Sequence, residues 1–426
     1  MTPASVLCLF FIFLVPLAAA GLTLINAGLG RSRSAAHAML AALCVMAVAA
    51  IAYTLCGFAW QGFAGGAAYS LHAAGREWNW LAAEPLFLRG RAVDGSTASL
   101  VLLLQMLSAG LAALIPLGSG ADRWRLGACC ASAAVLAGWT YPLFAHWVWG
   151  GGWLARLGVD YGAGQGFLDA GGASCIQAVG GLTALSIALI LGPRRGKYAI
   201  DAQPAAIPGH DAVVVLFGCF LALPGWLGLN AAGAILCTGA EPGRAVLVAM
   251  NTTLSAAAAV LATAAVTTLR FGRPDASLCA NGWIGGLVAS SAACAFVTPA
   301  AAAAIGLVAG LLVTFTVAYI EWPLSIDDPG GAISVHAAGG LWGVLAVGIF
   351  ARSPDNVSGQ WLAQLVGAAT LIGFVLPLTY SLNWLLHRLY AHRVAPEGER
   401  QGLDLYELGA GAYPEFVTHN EDFTQL

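Results

Sequence analysis

The chain reads as an all-α membrane protein of eleven transmembrane helices, arranged as two five-helix repeats of opposite orientation plus one extra helix. Three observations carry this. Of 426 residues, 59% are hydrophobic and 9% charged, whereas soluble globular chains carry about a quarter charged residues. Apolar runs of about 20 residues, the length that crosses a bilayer, recur with short gaps from one end to the other. A fourteen-residue segment opening the fifth run also recurs, ungapped, at the start of the tenth.

Taken in order, the runs place spans at 5–29, 35–59, 97–120, 124–149, 171–192, 212–236, 245–269, 277–297, 300–320, 332–351 and 361–389. An odd count puts the termini on opposite sides. With the N-terminus outside, the inside segments hold twelve Lys/Arg and the outside loops six, three of them in one long outer loop, 60–96, beside three acidic residues. The excess of basic residues on the cytoplasmic side favours an outer N-terminus and a cytoplasmic tail. Residues 1–389 therefore form one membrane domain and 390–426 a cytoplasmic C-terminal tail. Residues 5–29 lack a basic leader and a clear small-residue cleavage site, so they are expected to be a retained span rather than a removed signal.

The internal match runs Asp169-Ala-Gly-Gly-Ala-Ser-Cys-Ile-Gln177-Ala-Val-Gly-Gly-Leu182 on Asp328-Pro-Gly-Gly-Ala-Ile-Ser-Val-His336-Ala-Ala-Gly-Gly-Leu341, with eight of fourteen positions identical. A fainter echo pairs Gly21 to Asn26 with Gly225 to Asn230. Shared Gly/Ala composition does not explain paired aspartates at one offset. Repeat one covers about 5–192, repeat two about 212–351, and 361–389 is the eleventh helix. Because five is odd, the second copy is inverted, and transporters of this build place their path at the repeat interface. Gly171, Gly172, Gly180, Gly181, Gly285, Gly286, Gly330, Gly331, Gly339 and Gly340 are structural, letting helix backbones approach in lipid.

Several classes are excluded. A net charge of -3 with no basic patch argues against nucleic acid as a partner. Most of the ten cysteines lie inside apolar runs without CxxC or metal-ligand spacing, so they read as packing residues, and no cofactor or metal is expected. No nucleophile with a base and no paired catalytic carboxylates appear within the spans, so an enzyme is not expected.

Among eight histidines only His336 lies well inside a span. Ionisable groups at membrane depth are costly and mark a path for a polar solute or proton, although a neutral histidine bonded to a neighbouring helix is the commoner case. Its repeat mate is Gln177, also buried and polar, so the two are expected to meet near the midplane and satisfy each other. Asp169 and Asp328 each open a span and are suited to cap free backbone N–H groups, with cation attraction as the other reading. Trp149, in His146-Trp-Val-Trp149-Gly-Gly-Gly152, suits either an interfacial anchor or a pore mouth where an aromatic face attracts a cation.

These stretches, with Gly225-Trp226-Leu-Gly-Leu-Asn230-Ala, Asn281-Gly-Trp-Ile-Gly-Gly-Leu287, Asp327-Asp-Pro329 and Glu399-Arg-Gln-Gly-Leu-Asp404, resemble the ammonium transporter (Amt/Mep/Rh) family over nearly the whole chain, the tail favouring the Amt branch. The resemblance implies a homotrimer with a pore in each protomer, an outer cation site, a phenylalanine gate, two pore histidines, and regulation by a cytosolic PII-type protein in a bacterial plasma membrane. Trp149 matches the outer tryptophan, Asp169 the aspartate supporting that site, and His336 the second pore histidine; Trp226 lies among the matching pore residues. The rest departs: Gln177 replaces the first histidine, Ser108 and Leu229 the two gate phenylalanines, and Leu104 and Gly233 an aromatic and a serine of the outer site.

A glutamine hydrogen-bonds but cannot titrate, so a two-histidine proton relay cannot operate, and losing two rings is expected to widen or wet the upper pore. Three functions are compatible with this pattern. The leading one is an ammonium or ammonia transporter or channel. The others are a transport-dead ammonium receptor and a pore for a neutral gas or other small solute.

Overall fold

The computed structural model describes residues 2–73, 75–198, 203–352 and 358–413; residues 199–202 of the predicted inner loop and 414–426 of the predicted tail, including His419, lie outside the described residues. Among the described residues, ten helices are long and apolar enough to cross a bilayer: Pro3–Leu29, Ser32–Gln61, Thr97–Gly120, Leu126–Trp149, Ala173–Leu191, Ala212–Thr238, Pro242–Phe271, Pro299–Glu321, Ile333–Phe350 and Gln360–Leu389. The remaining predicted span, the eighth, is the 18-residue helix Ala276–Ala293. It is less apolar because it meets the seventh, ninth and tenth spans rather than lipid, and between Ala280 and Ala293 every residue except Trp283 is buried.

The fifth and tenth spans run in opposite directions. Leu126, at the start of the fourth span, donates its N–H to Glu407 of the tail, so the far end of that span, at Trp149, defines the face opposite the tail. The fifth span starts at that far face, where Trp149 bonds to Asp169, and ends at Leu191, whose carbonyl accepts from Arg393 of the tail. The tenth starts on the tail face beside Asp327, which is bound by Arg194, and ends near Arg352, whose N–H reaches Phe296. Such antiparallel mates are what an inverted repeat requires.

Small residues set the helix contacts. A Cβ on Gly21 would lie 2.6 Å from the Gly218 carbonyl oxygen, one on Gly218 the same 2.6 Å from that of Gly21, and one on Gly225 only 2.1 Å from Ala18 N. The first and sixth spans, opening helices of the two repeats, thus touch backbone to backbone. The fifth and tenth spans both begin with a left-handed glycine, Gly172 at φ 93° and Gly331 at φ 68°, which a side chain would strain. A turn of π-helix follows in each, Ala173–Ala178 and Ile333–Ala338.

Two segments carry more structure than the sequence indicated. Within the outer loop at 60–96, Ala68–Ala73 pairs antiparallel with Arg76–Ala82, Leu71 opposite Trp78. Trp78, Trp80, Trp147 and Trp153 pack with ring centroids 5.6–6.1 Å apart, anchoring this hairpin to the fourth span. The second segment is the tail. Asp404 accepts the N–H groups of His37 at 2.7 Å and Ala36 at 3.2 Å, capping the second span; Glu407 binds His37 Nε2 at 2.8 Å and Leu126 N at 2.9 Å. Glu399 accepts from Arg195 N at 2.6 Å and Arg393 at 2.7 Å. Gly402 adopts φ 99°, and a Cβ there would fall 2.4 Å from the Arg33 carbonyl oxygen.

The tail contacts titrate. Burial pushes the Glu407 carboxyl up, but its bonds to His37 and Leu126 N–H, with the charges of His37 and Arg125, outweigh this and hold it below its ordinary 4.5. A carboxylate depressed in the docked state favours docking above its ordinary value, and that contribution disappears as pH falls through the depressed one. The tail is therefore expected to stay docked near neutrality and to loosen only as the pH falls below the carboxyl's ordinary 4.5, seen as faster hydrogen exchange across 403–408. Glu407→Gln should loosen it already at neutral pH; unchanged exchange in that variant would contradict the assignment.

Candidate functional site

The site lies where the fifth and tenth spans cross. A Cβ on Gly181 would sit 2.2 Å from Ala337 N and one on Gly340 2.6 Å from the Ala173 carbonyl oxygen, so each glycine of this symmetry-related pair lets the other backbone in. At that crossing His336 Nδ1–H donates to Gln177 Oε1 across 2.7 Å. An amide oxygen only accepts, so this bond places the imidazole proton on Nδ1 and leaves Nε2 as a bare acceptor. The Gln177 amide nitrogen is buried and has no partner among the described residues. The bonded pair thus keeps an unused amide NH2 on Gln177 and one unused acceptor on His336, with Gln177 0% and His336 4% exposed.

Both span starts are capped by their aspartates. Asp169 Oδ1 accepts from Gly172 N at 2.7 Å and Ala173 N at 2.9 Å, while Oδ2 accepts from Ser174 N at 2.7 Å, Cys175 N at 3.3 Å and the Ser174 hydroxyl. Asp328 accepts from Ala332 N at 3.1 Å, Ile333 N at 2.8 Å and Ser119 Oγ at 2.6 Å. With backbone N–H groups of the helix start bound to both oxygens of each, these carboxylates stabilise the positive helix end. Asparagines complete the symmetry: Gly171 faces Asn230 Oδ1, 2.1 Å from where its Cβ would be, and Gly330 faces Asn26 Oδ1 at 2.9 Å. Each repeat's first helix thus meets the opening glycines of the other's fifth helix.

Trp149 Nε1–H donates to the Asp169 carbonyl oxygen at 2.8 Å, so its ring is held by the same residue that caps the fifth span. Ser108 and Leu229 are each 1% exposed, as is Leu104, and Trp226 is 0% exposed. Leu104, Leu229 and Trp226 belong to the same apolar core as Ile176. A polar chain beside it escaped sequence reading. Tyr141 OH donates to Gln105 Oε1, Gln105 Nε2 reaches Cys237 Sγ at 3.4 Å, and Tyr53, edge-on to Tyr141, donates to Gln61 Oε1 at 2.8 Å. The only signal available was polar residues recurring inside apolar runs.

An antiparallel pair of helices that start inside the protein, capped by aspartates and meeting at a buried polar pair, defines a membrane transporter of the inverted-repeat class. The profile of the Ammonium Transporter Family matches residues 6–413, and the chain belongs to that family. It is 36% identical to "Ammonium transporter Amt2" of Archaeoglobus fulgidus, over 95% of this chain and 87% of that protein. The "Ammonium transporter" of Bacillus subtilis is 30% identical, over 96% and 98%. Among solved structures, a "Sensor Amt Protein" superposes with a TM-score of 0.85 at 29% identity, covering 95% and 98%. Mep2 of Candida albicans shares the fold, with a TM-score of 0.78 at 23% identity, over 97% and 90%.

Removing the Asp169 carboxylate strands four backbone N–H groups, each costing about 1–3 kcal/mol when buried without an acceptor. Asp169→Ala is accordingly expected to lose at least about 3 kcal/mol, read as a drop in thermal unfolding temperature in detergent. Trp149→Phe, which keeps a ring but loses the bond to Asp169, should lose about 1 kcal/mol; equal stability of all three proteins would refute the capping account.

Proposed function

We propose that the chain carries ammonium or ammonia across the membrane, with the Gln177–His336 pair as the midpoint contact. The unused donor on Gln177 beside the bare acceptor on His336 carries this reading. Ammonia, with one lone pair and three N–H bonds, matches a site offering an amide NH2 and one bare acceptor. An intact ammonium ion finds a single lone pair there, and an uncompensated ion in hydrocarbon costs several kcal/mol. His336 Nε2 can accept the proton that ammonium gives up; Gln177 cannot pass it on. The expected mechanism is one-histidine deprotonation at His336 rather than a two-site relay. Trp149 and the Asp169 support beneath it form the outer recruitment site, and Ser108, Leu229 and Trp226 line the segment between.

Positive charge on the tail face supports an outer N-terminus and a cytoplasmic C-terminus in a bacterial plasma membrane. The family likeness supports a homotrimer, a division into membrane residues 1–389 and tail 390–426, and a PII-type protein as a partner at the tail face. A second reading, a transport-dead receptor, is favoured by the burial of Ser108, Leu104 and Leu229, by Gln177 and by the likeness to the sensor protein.

Purified protein in proteoliposomes is expected to give an ammonium-evoked current or an ammonia flux above empty vesicles, and His336→Ala to abolish it. Gln177→His, which restores a titrating group, should raise turnover at least about tenfold if proton transfer limits it. Ammonium binding without flux in the native chain, with flux appearing only in Gln177→His, would replace transport by reception.

A further inference from the structure

The second strand of the outer hairpin, Arg76–Ala82, grips the end of the fourth span at the turn that follows Trp149. The Trp80 carbonyl oxygen accepts from Trp147 Nε1 at 2.8 Å, and that of Asn79 from Trp153 N at 3.2 Å. Between them the half-buried Asn79 side chain donates from Nδ2 to the Gly151 carbonyl oxygen at 3.3 Å and sets Oδ1 2.7 Å from His146 Nε2. The other ring nitrogen, Nδ1, lies 2.7 Å from the Gln61 carbonyl oxygen. The turn Gly150–Gly152 is laid on this imidazole. A Cβ on Gly150 would fall 2.5 Å from both His146 Nδ1 and the Gln61 oxygen, Gly151 has φ 82°, and Gly152 N bonds to the His146 carbonyl at 3.0 Å.

Both nitrogens of His146 thus face oxygens that accept. The Gln61 carbonyl can do nothing else, and Asn79, with its NH2 turned to the Gly151 carbonyl, has only Oδ1 to offer the ring. A histidine has a proton for two acceptors only as imidazolium. Neutral His146 keeps Nδ1–H for Gln61 and presents Nε2 bare. Asn79 can meet a bare nitrogen only by turning its amide over, which breaks the bond to Gly151 and sets the amide oxygen against that carbonyl. Two protonation states of one ring, 1% exposed, therefore correspond to a turn held and a turn released. The titratable groups on the elements packed against this end of the span are Tyr53 and Cys56 of the second span, Cys175 of the fifth, Arg76 and Glu77 of the hairpin, and Tyr141 of the span itself. Arg76 and Glu77 are exposed, Arg76 lying 4.4 Å over the Tyr161 ring. Burial opposes a charge on His146 and the two acceptors favour it, which makes the ring a switch and not a fixed ion.

We propose that Asn79 and His146 are positioning residues for the outer site and form a proton-operated clamp on the turn behind Trp149. With the proton bound, His146 orients the Asn79 amide, Asn79 holds Gly151, and the Trp149 ring is fixed between this turn and its bond to Asp169. With the proton lost, Gly151 is released and the ring is set less firmly. The proposal rests on the reading of Trp149 as the outer recruitment site, and it gives that site a pH dependence of a definite sign. Outer-side affinity for ammonium falls as the pH rises through the titration of His146. Simple repulsion between an imidazolium and a bound cation would give the opposite sign.

The test reads the ring and the site separately in the full chain. Nitrogen-15 NMR of histidine-labelled protein follows the ring across about pH 5–8, with His146→Gln identifying the resonance. Half-saturation by ammonium is measured as outer-side current in proteoliposomes and as calorimetric binding in detergent. The native ring is expected to carry protons on both nitrogens at the acid end and to lose one as the pH rises, with half-saturation rising about fivefold over the same interval, the equivalent of one hydrogen bond. His146→Gln, which points an amide N–H at Asn79 at every pH, should keep half-saturation low throughout. Asn79→Ala should keep it high throughout, whereas a merely structural role would move both variants the same way. A ring neutral over the whole range overturns the clamp, as does half-saturation that stays flat or falls with pH while the ring titrates. Binding that follows the ring in a native chain giving no current upholds the clamp and removes transport instead.

Discussion

The structure depends on one close crossing. Gly181 and Gly340 bring the fifth and tenth spans into backbone contact, and a polar side chain from each has only the other to turn to. In lipid an unmet polar group costs several kcal/mol, so the 2.7 Å bond between His336 and Gln177 is the way both can remain at that depth. The rest of each helix follows. To reach the crossing from opposite faces, both helices begin inside the protein, leaving N–H groups that only Asp169 and Asp328 satisfy. Those carboxylates need the left-handed turns at Gly172 and Gly331 to face back along the helix start.

The same constraint explains the symmetric side contacts. A helix that begins at depth needs a neighbour with a small or polar surface, and each repeat receives it from the other's first helix: Asn230 against Gly171, Asn26 against Gly330. The first and sixth spans can supply these asparagines only because they cross through Gly21, Gly218 and Gly225. The two repeats are therefore interlocked and not simply adjacent, and a larger residue at any one glycine disturbs a contact belonging to both.

How much of this was legible in the sequence depended on whether the information was local or shared. The spans, the inverted repeat and the meeting of Gln177 with His336 could be read because a fourteen-residue match repeats one local design twice. The eighth span was found by its length, though it is less apolar than its neighbours. The hairpin at 68–82 was not legible, because six or seven residues beside tryptophans carry no periodicity distinct from an aromatic interfacial loop. The tail's docking was equally hidden. Glu399, Asp404 and Glu407 acquire meaning only from Arg195, His37 and Leu126, which are distant in sequence.

Replacing one histidine of a pair changes more than a count of titrating groups. In a pair of neutral imidazoles sharing one hydrogen bond, either ring can hold the bridging proton, so the pair has two equivalent tautomers. With an amide carbonyl as partner that freedom is gone, because Gln177 Oε1 can only accept. His336 is held with Nδ1 protonated and Nε2 bare, and Gln177 contributes a fixed N–H donor of its own. A fixed donor beside a fixed acceptor is polarised in one direction along the pore. A solute that donates and accepts at once fits it in one orientation, whereas an ion that only donates meets a single acceptor and an opposed N–H. On the transport reading proposed above, the glutamine that removes the relay would also make the midpoint favour a neutral molecule over an ion, one physical cause for both.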